Sequence, residues 1–67
     1  MLSNSLKEFR ARHNLTQEDL AQQVGVTRQT IIAVEKGRFN PSVLLALKIA
    51  RVLNVTVEEL FQMKDEV

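Results

Sequence analysis

The sequence contains no cysteine, tryptophan or tyrosine, and only one proline and two glycines among 67 residues. Without cysteine the chain can form neither a disulfide nor a cysteine-ligated zinc site, and its single histidine, His13, cannot hold a metal alone. A chain this short buries little surface, so its stability is marginal unless something adds to it. Oligomerisation is the remaining common route to stability, and the lack of cysteine agrees with a reducing cytoplasm.

Long apolar runs and a strong charge of one sign are also missing. No stretch is apolar enough to cross a bilayer or to serve as a signal peptide, so we expect a soluble, cytoplasmic protein with no membrane partner. The net charge is only +1, but residues 1–40 carry six basic and four acidic side chains, and residues 41–67 carry three and four. A DNA-binding surface needs only a local positive excess, so this asymmetry weakly favours an N-terminal half that faces nucleic acid.

Groups that carry catalysis are absent from the sequence as well. We find no carboxylate pair, no nucleophile with a matching base and no phosphate-binding loop. The sequence therefore predicts that the protein is not an enzyme, has no cofactor and no metal, and needs no small-molecule ligand.

The sequence does contain five short helical patterns, which we interpret as one domain over residues 1–67. Apolar residues at helical spacing predict helices over about 5–13, 17–24, 28–36 and 43–53, with a shorter helix after Thr56. Capping residues bound them: the predicted N-caps and the residues that complete capping boxes are Thr16 with Asp19, Thr27, and Thr56 with Glu59. The ends stay ambiguous, because residues 1–2 and 60–63 are apolar enough to pair as short strands.

Residues 17–36 hold two of these helices and the tight turn between them. Helices joined by such a turn meet at a steep angle, which requires a small residue at their contact and a glycine in the turn. Ala21 and Gly25 fill those roles, and the apolar residues that lock the two helices are Leu20, Val24, Val26, Ile31 and Val34. This pattern predicts a helix-turn-helix whose second helix can enter the major groove of DNA.

The chain resembles the Cro- and phage-repressor-type helix-turn-helix regulators, often called Xre-like. The resemblance lies in residues 15–21, in the recognition segment, and in residues 35–42 and 47–55, so it covers nearly the whole chain. It implies an all-α fold, a five-helix Cro/repressor-like bundle, and a function like that of the small stand-alone dimeric repressors of this family.

The resemblance also implies which side chains meet the bases of DNA. Arg28 and Gln29 begin the recognition helix, and their side chains suit the edges of guanine and adenine respectively. Ile32 lies one turn further on and could touch a thymine methyl if it faces outward, although a core position is equally open.

Other side chains are expected near phosphates, where contacts position the protein but read no sequence. Gln17 begins the second helix and is expected at a phosphate and at the recognition helix. The remaining expected phosphate contacts are Thr27, Thr30, Lys36, Arg38 and Asn40. A structural role is the alternative for several of them: Thr27 as a cap alone, and Lys36 and Arg38 at the negative end of a helix.

Arg10 and Glu35 resemble the family's buried ion pair between helices one and three. The alternative is two separate surface charges.

The fourth helix is more apolar than a monomer needs, because nine of the eleven residues from Val43 to Leu53 are apolar. Leu44 and Leu47, with Ala50 or Val43, would suffice to pack on the helix-turn-helix. A second stripe would then be exposed, and we predict that it forms a homodimer interface. The predicted interface residues are Leu45, Ile49, Val52, Phe61 and Met63. A wider single core is the alternative.

These features predict a sequence-specific regulator of transcription whose partners are double-stranded DNA and a second copy of itself. We expect a repressor that binds an inverted-repeat operator. Two alternatives stay open. One is an antitoxin that regulates its own toxin–antitoxin pair, although such proteins often carry a further toxin-wrapping segment. The other is a protein-interaction module that uses this fold without DNA.

Overall fold

The computed structural model describes the backbone of residues 2–63 and the side chains of residues 4–63. In chain order the elements are β1 (Leu2–Asn4), α1 (Leu6–Arg12), α2 (Gln17–Val24), α3 (Arg28–Glu35), α4 (Val43–Leu53), α5 (Val57–Leu60) and β2 (Phe61–Met63). The prediction of an all-α, five-helix fold is confirmed, and the helices end within about one residue of their expected bounds. Among the described residues no helix could cross a membrane, since the longest, α4, has eleven residues.

Capping hydrogen bonds fix where the helices begin. The Asp19 amide donates to the Thr16 hydroxyl at 2.9 Å, and the Thr16 amide donates to the Asp19 carboxylate at 3.0 Å. Thr56 and Glu59 form the same reciprocal pair at the start of α5, over 3.0 and 2.8 Å. Each box satisfies two amides that would otherwise lack a partner, which is why these short helices have sharp starts.

A single apolar core lies among all five helices. Its buried members are Leu6, Leu20, Ala21, Val24, Ile31, Val34, Leu45, Ile49, Ala50, Leu53 and Leu60. The predicted stripes of α2 and α3 are all present in this set. Val26 differs slightly from expectation, because it packs against the core from the turn but is only partly buried.

The sequence prediction for the two faces of α4 is wrong except at Ala50, which was offered as a core residue and is buried. Leu44 and Leu47, predicted to pack on the helix-turn-helix, are 63% and 53% exposed, and Val43 is 77% exposed. The buried face of α4 instead carries Leu45, Ala46, Ile49, Ala50 and Leu53. The physical reason is that the charged Lys48 and Arg51 lie on the same side of α4 as Leu44 and Leu47, so the opposite side packs on the core.

This inversion corrects the predicted dimer interface. Ile49 is fully buried and Leu45 nearly so within one chain, so neither can contribute surface to a second copy. Val52 and Phe61 are partly buried and pack against the core, whereas Met63 is 70% exposed. An apolar surface does remain on the outer side of α4, but its members are Val43, Leu44 and Leu47.

The ends of the described chain form a two-stranded antiparallel sheet, as the apolar termini suggested. Its register pairs Leu2 with Met63, Ser3 with Gln62 and Asn4 with Phe61. The strand predicted at residues 1–2 is therefore shifted inward, and Met1 lies outside the described residues. The Ser5 amide donates to the Leu60 carbonyl at 2.8 Å, which joins the start of α1 to the end of α5.

Candidate nucleic-acid interface

The turn between α2 and α3 has the backbone that its sequence predicts. The amides of Gly25 and Val26 both donate to the Ala21 carbonyl, at 2.9 and 3.0 Å, so the end of α2 is capped from the turn. Gly25 has φ +78°, and a Cβ there would meet no atom within 4 Å. The left-handed conformation, rather than lack of space, therefore favours glycine. Ala21, buried between the helices, allows their close contact.

The first turn of α3 presents polar side chains to solvent. Arg28 and Gln29 are both exposed, whereas Ile31 and Val34, on the opposite face, are buried in the core. The core contacts fix the helix, and neither side chain forms a hydrogen bond or ion pair with the side chains and backbone of residues 4–63. Such an arrangement leaves a guanidinium fork and a carboxamide available to an external acceptor and donor.

Thr27 serves as the N-cap of α3, and its hydroxyl accepts from the Thr30 amide at 3.2 Å. The Thr27 and Thr30 hydroxyl oxygens lie 3.1 Å apart, so one of them donates to the other. Two hydroxyls have two protons, and this bond uses one of them. The second proton stays free, so a cap and an outward hydrogen bond are compatible at this pair.

Glu35, at the end of α3, joins three helices. Its Oε2 accepts from Arg10 Nε at 2.7 Å, and its Oε1 accepts from Gln17 Nε2 at 3.1 Å. The ion pair is largely buried, with Arg10 and Glu35 side chains 14% and 7% exposed. Arg10 also donates to the Leu15 carbonyl at 2.8 Å. The structure thus contains the Arg10–Glu35 pair, and Gln17 joins the same carboxylate.

Gln17 and Arg28 come together although eleven positions separate them. Both line one open cleft at the start of α2, together with Thr16, Glu18 and Arg10. Gln17 is partly buried and is held by Glu35, whereas Arg28 is exposed. Two predicted DNA-contacting residues on different helices therefore share one surface.

Lys36, Arg38 and Asn40 follow the other end of α3 and are all exposed. Gly37 takes φ +75° here, and the Arg38 amide donates to the Ala33 carbonyl at 2.9 Å, so the chain turns sharply away from α3. This part of the predicted site lies apart from Arg28, at the opposite end of the same helix. Ile32 is partly buried, unlike its buried neighbour Ile31.

Two residues of interest were not predicted from the sequence. Phe39 is 47% exposed between Arg38 and Asn40, an aromatic ring in a loop otherwise expected at phosphates. Its position between two predicted contacts was the available signal. Asn4 donates to the Val34 carbonyl at 2.9 Å across thirty positions of sequence, which no local pattern indicates.

The capping box also has an electrostatic effect at the start of α2. Hydrogen bonds from the backbone amide and then the side chain of Thr16 hold the pKa of Asp19 below its usual value, against a small opposing effect of burial. The carboxylate therefore stays ionised, where the positive end of the helix dipole favours negative charge.

Comparison with known proteins places this arrangement in a family. The model of the helix-turn-helix family matches residues 6–60. An uncharacterized HTH-type transcriptional regulator of Methanocaldococcus jannaschii is 55% identical over 65 residues, covering 97% of this chain and 98% of its own. Among solved structures, the restriction-modification controller protein C.AhdI of Aeromonas hydrophila is 37% identical, with a TM-score of 0.74 over 81% of this chain and 82% of that one.

The N-terminal DNA binding domain of SinR from Bacillus subtilis is 28% identical, with a TM-score of 0.72 over 79% of this chain and 78% of that one. These relatives are regulators and DNA-binding proteins rather than enzymes, in agreement with the sequence prediction. The match extends from the first turn of α1 to the last residue of α5, so it includes the whole core and the α2–α3 surface. This chain therefore belongs to the Xre-like helix-turn-helix family of DNA-binding transcriptional regulators.

Proposed function

We propose that the protein is a sequence-specific repressor that binds an inverted-repeat operator as a homodimer, with α3 as its recognition helix. The observation that carries this proposal is the first turn of α3, where Arg28 and Gln29 are exposed on a helix fixed by its buried opposite face. A helix held in this way can enter the major groove, which is wide enough to admit it.

We assign the recognition of bases to the first turn of α3. The Arg28 guanidinium matches the two acceptors of guanine, O6 and N7, and the Gln29 carboxamide matches the N6 donor and N7 acceptor of adenine. We assign Ile32, which is partly buried one turn further on, to a contact with a thymine methyl. Each bidentate pair contributes about 1–3 kcal/mol of discrimination against a wrong base.

We assign phosphate contacts to residues near both ends of α3. We assign the free hydroxyl proton of the Thr27–Thr30 pair and the second Nε2 proton of Gln17 to phosphates near the start of α3. Lys36, Arg38 and Asn40, exposed beyond its other end, are assigned to the backbone that the chain crosses there. Such contacts at both ends of α3 would set its depth and direction in the groove.

Glu35 supports the reading geometry without touching DNA. Its bond to Gln17 orients a proposed phosphate contact of α2 relative to α3, and its bond to Arg10 fixes both to α1. A contact held in place before binding loses less conformational freedom when DNA arrives.

The homodimer rests on the exposed apolar face of α4, here called the α4 face: Val43, Leu44 and Leu47. Next to it Val57 and Phe61 line a groove with Val43 and Leu47, and the exposed Met63 follows on β2. A contiguous apolar patch of this kind is typical of a protein interface. Val52, which is partly buried against the core, stays a candidate contact.

Charge also favours a second copy as the occupant of the α4 face. Arg51 and Glu58 line one groove with Leu47 and Val57, so opposite charges flank the apolar surface. In a twofold arrangement each surface meets itself, and Arg51 of one copy can then face Glu58 of the other. Burial of this surface would also supply stability that a 67-residue chain lacks.

Dimerisation and repression are linked by geometry. Two recognition helices about 34 Å apart read two half-sites on one side of the duplex, which one helix alone cannot do. A dimer bound over a promoter would exclude the polymerase by occupancy. We expect it in the cytoplasm, where a prokaryotic chromosome lies.

Selection of bound sequences from random duplexes tests the proposal. We expect enrichment of an inverted repeat whose half-site centres are one helical turn apart, or a multiple of it, and a complex that sediments with two chains per duplex. Transcription from a promoter that overlaps the selected site should fall when protein is added. Selection that enriches no sequence would contradict the proposal and would favour a protein-interaction module instead.

A further inference from the structure

Asn4, the last residue of β1, connects the ends of two helices through its side-chain amide. Its Oδ1 accepts from the Leu6 amide at 3.2 Å, at the start of α1. Its Nδ2 donates to the Val34 carbonyl at 2.9 Å, in the last turn of α3. Both bonds are partly buried, and together they require an acceptor and a donor on one short side chain, which asparagine supplies and aspartate does not.

The bond to Val34 matters because the last carbonyls of a helix have no partner within it. The Gly37 amide also donates to the Val34 carbonyl, at 3.0 Å, from the loop that follows α3. Asn4 therefore adds a link that comes from outside α3 and its loop. It ties the end of the proposed recognition helix to the strand pair.

On its other side the strand pair is joined to the surroundings of the α4 face. Asn4 pairs with Phe61 in the sheet register, and the adjacent Ser5 amide donates to the Leu60 carbonyl at 2.8 Å. Phe61 in turn lines the groove that Val43 and Leu47 border. A continuous path of contacts thus runs from the α4 face through β2 and β1 to the end of α3.

We propose that Asn4 is a positioning residue that couples the dimerisation surface to the recognition helix, and so sets the half-site spacing that the dimer accepts. This inference rests on the proposed function. The spacing of an operator reflects the distance and angle between the two recognition helices of a dimer. Without the Asn4–Val34 bond α3 stays attached through its core residues, but its end loses a link to the interface and a wider range of spacings becomes acceptable.

The test compares Asn4→Ala with a matched control, His13→Ala. His13 Nε2 lies 2.8 Å from the Leu53 carbonyl, so it too bonds a side chain to a helix-end carbonyl, but it joins α1 to α4 and does not reach α3. Each variant is titrated with the selected operator, with operators one base pair shorter or longer in the spacer, and with a random duplex.

We expect Asn4→Ala to lower affinity for the operator by up to roughly tenfold, because the loss cannot exceed what one hydrogen bond contributes to holding α3. Its preference for the selected operator over operators with shorter or longer spacers should fall by a similar factor. Its affinity for the random duplex should stay the same. His13→Ala should keep the spacing preference of the wild type. Equal spacing preferences in wild type and Asn4→Ala, or the same relaxation in His13→Ala, would overturn the inference.

If Asn4→Ala does not fold, as judged by circular dichroism, Asn4→Asp decides the question. This variant keeps the acceptor for Leu6 and removes the donor to Val34, so it should relax the spacing preference in the same direction. Unchanged spacing preference in a folded Asn4→Asp would again overturn the inference. Failure of the proposed function is a separate result, because the wild type would then show no spaced inverted repeat at all.

Discussion

The two helices α3 and α4 bury apolar stripes in one core, yet their outer faces differ in kind. The start of α3 presents Arg28 and Gln29, whereas α4 presents Val43, Leu44 and Leu47 with more than half of each side chain exposed. Polar groups that fork or pair suit base edges, and a contiguous apolar patch suits another protein surface. The buried faces fix the fold, and the outer faces distinguish the partner that each helix is proposed to meet.

The largest effect is expected from Ile49→Asp on the buried face of α4. Ile49 is fully buried, so this change places an unpaired charge in the core. We expect the free energy of unfolding to fall by about 4–5 kcal/mol or more, enough to unfold a domain of this size rather than merely dissociate the proposed dimer. Circular dichroism would measure it, and a folded, monomeric Ile49→Asp would show that Ile49 belongs to an interface after all.

A smaller but still large loss is expected from Glu35→Ala, which leaves the buried Arg10 without its partner. Breaking such a pair lowers the free energy of unfolding by roughly 3 kcal/mol. Glu8→Ala is the matched control, since Glu8 and Arg12 form a 3.5 Å ion pair that is mostly exposed. This variant should change the free energy of unfolding by no more than about 0.5 kcal/mol. Denaturant melts that shift equally for both variants would mean that burial of the pair is unimportant.

The outer face of α4 is tested by Leu47→Asp. Because Leu47 is 53% exposed in one chain, the variant should fold. It should weaken dimerisation at least roughly tenfold, or about 1.4 kcal/mol, since a charge would be buried at the interface. Sedimentation equilibrium would measure the shift, with Gln22→Asp on the exposed side of α2 as the control. A dimer unaffected by Leu47→Asp would place the interface elsewhere.

The smallest effect concerns the capping box at the start of α2. The lowered pKa of Asp19 means that its ionised form stabilises the folded state above the ordinary pKa of 3.8, and that this contribution is lost as pH falls through the lower folded-state value. The difference in stability between wild type and Asp19→Ala should therefore be larger at about pH 6 than at about pH 2.5. Thr16→Val, which removes the hydroxyl partner, should reduce this pH dependence. A stability difference between wild type and Asp19→Ala that is the same at both pH values would contradict a lowered pKa of Asp19 in the folded state.

The local features of the fold could be predicted from the sequence because their causes are local. Thr16, Thr27 and Thr56 act through amides three positions away, and Gly25 acts through its own φ. The faces of α4 could not be assigned in the same way, since nine apolar residues in eleven offer more than one stripe. The position of Lys48 and Arg51 was the neglected signal. They share a side of the helix with Leu44 and Leu47, and charged residues lie opposite a core.

The candidate site also contains features that could be predicted from the sequence and features that could not. The start of α3 was anticipated from the helix-turn-helix pattern, whereas the Arg10–Glu35 pair was anticipated only from the family resemblance. Gln17 was expected at the recognition helix, but Glu35 was not named as its partner there. The Asn4–Val34 hydrogen bond was not expected at all, because it depends on how β1 packs against α3, which periodicity and capping do not specify.

The most direct test of the central claim compares the two ends of α3 on one pair of duplexes, a selected operator and a random sequence, at several salt concentrations. Arg28→Ala should reduce the free energy of binding to the operator by about 1–3 kcal/mol and relax the preference at one base pair per half-site. It should change the affinity for the random duplex less. Arg38→Ala should weaken both duplexes similarly and reduce the salt slope by about one unit.

Lys7→Ala, which removes one positive charge from the exposed side of α1, serves as the control and should keep the operator preference. Circular dichroism on each protein would establish that all three variants are folded. The account predicts that only Arg28→Ala loses discrimination between the two duplexes. Equal losses on both duplexes from Arg28→Ala would contradict it, because the start of α3 would then contact DNA without reading its bases.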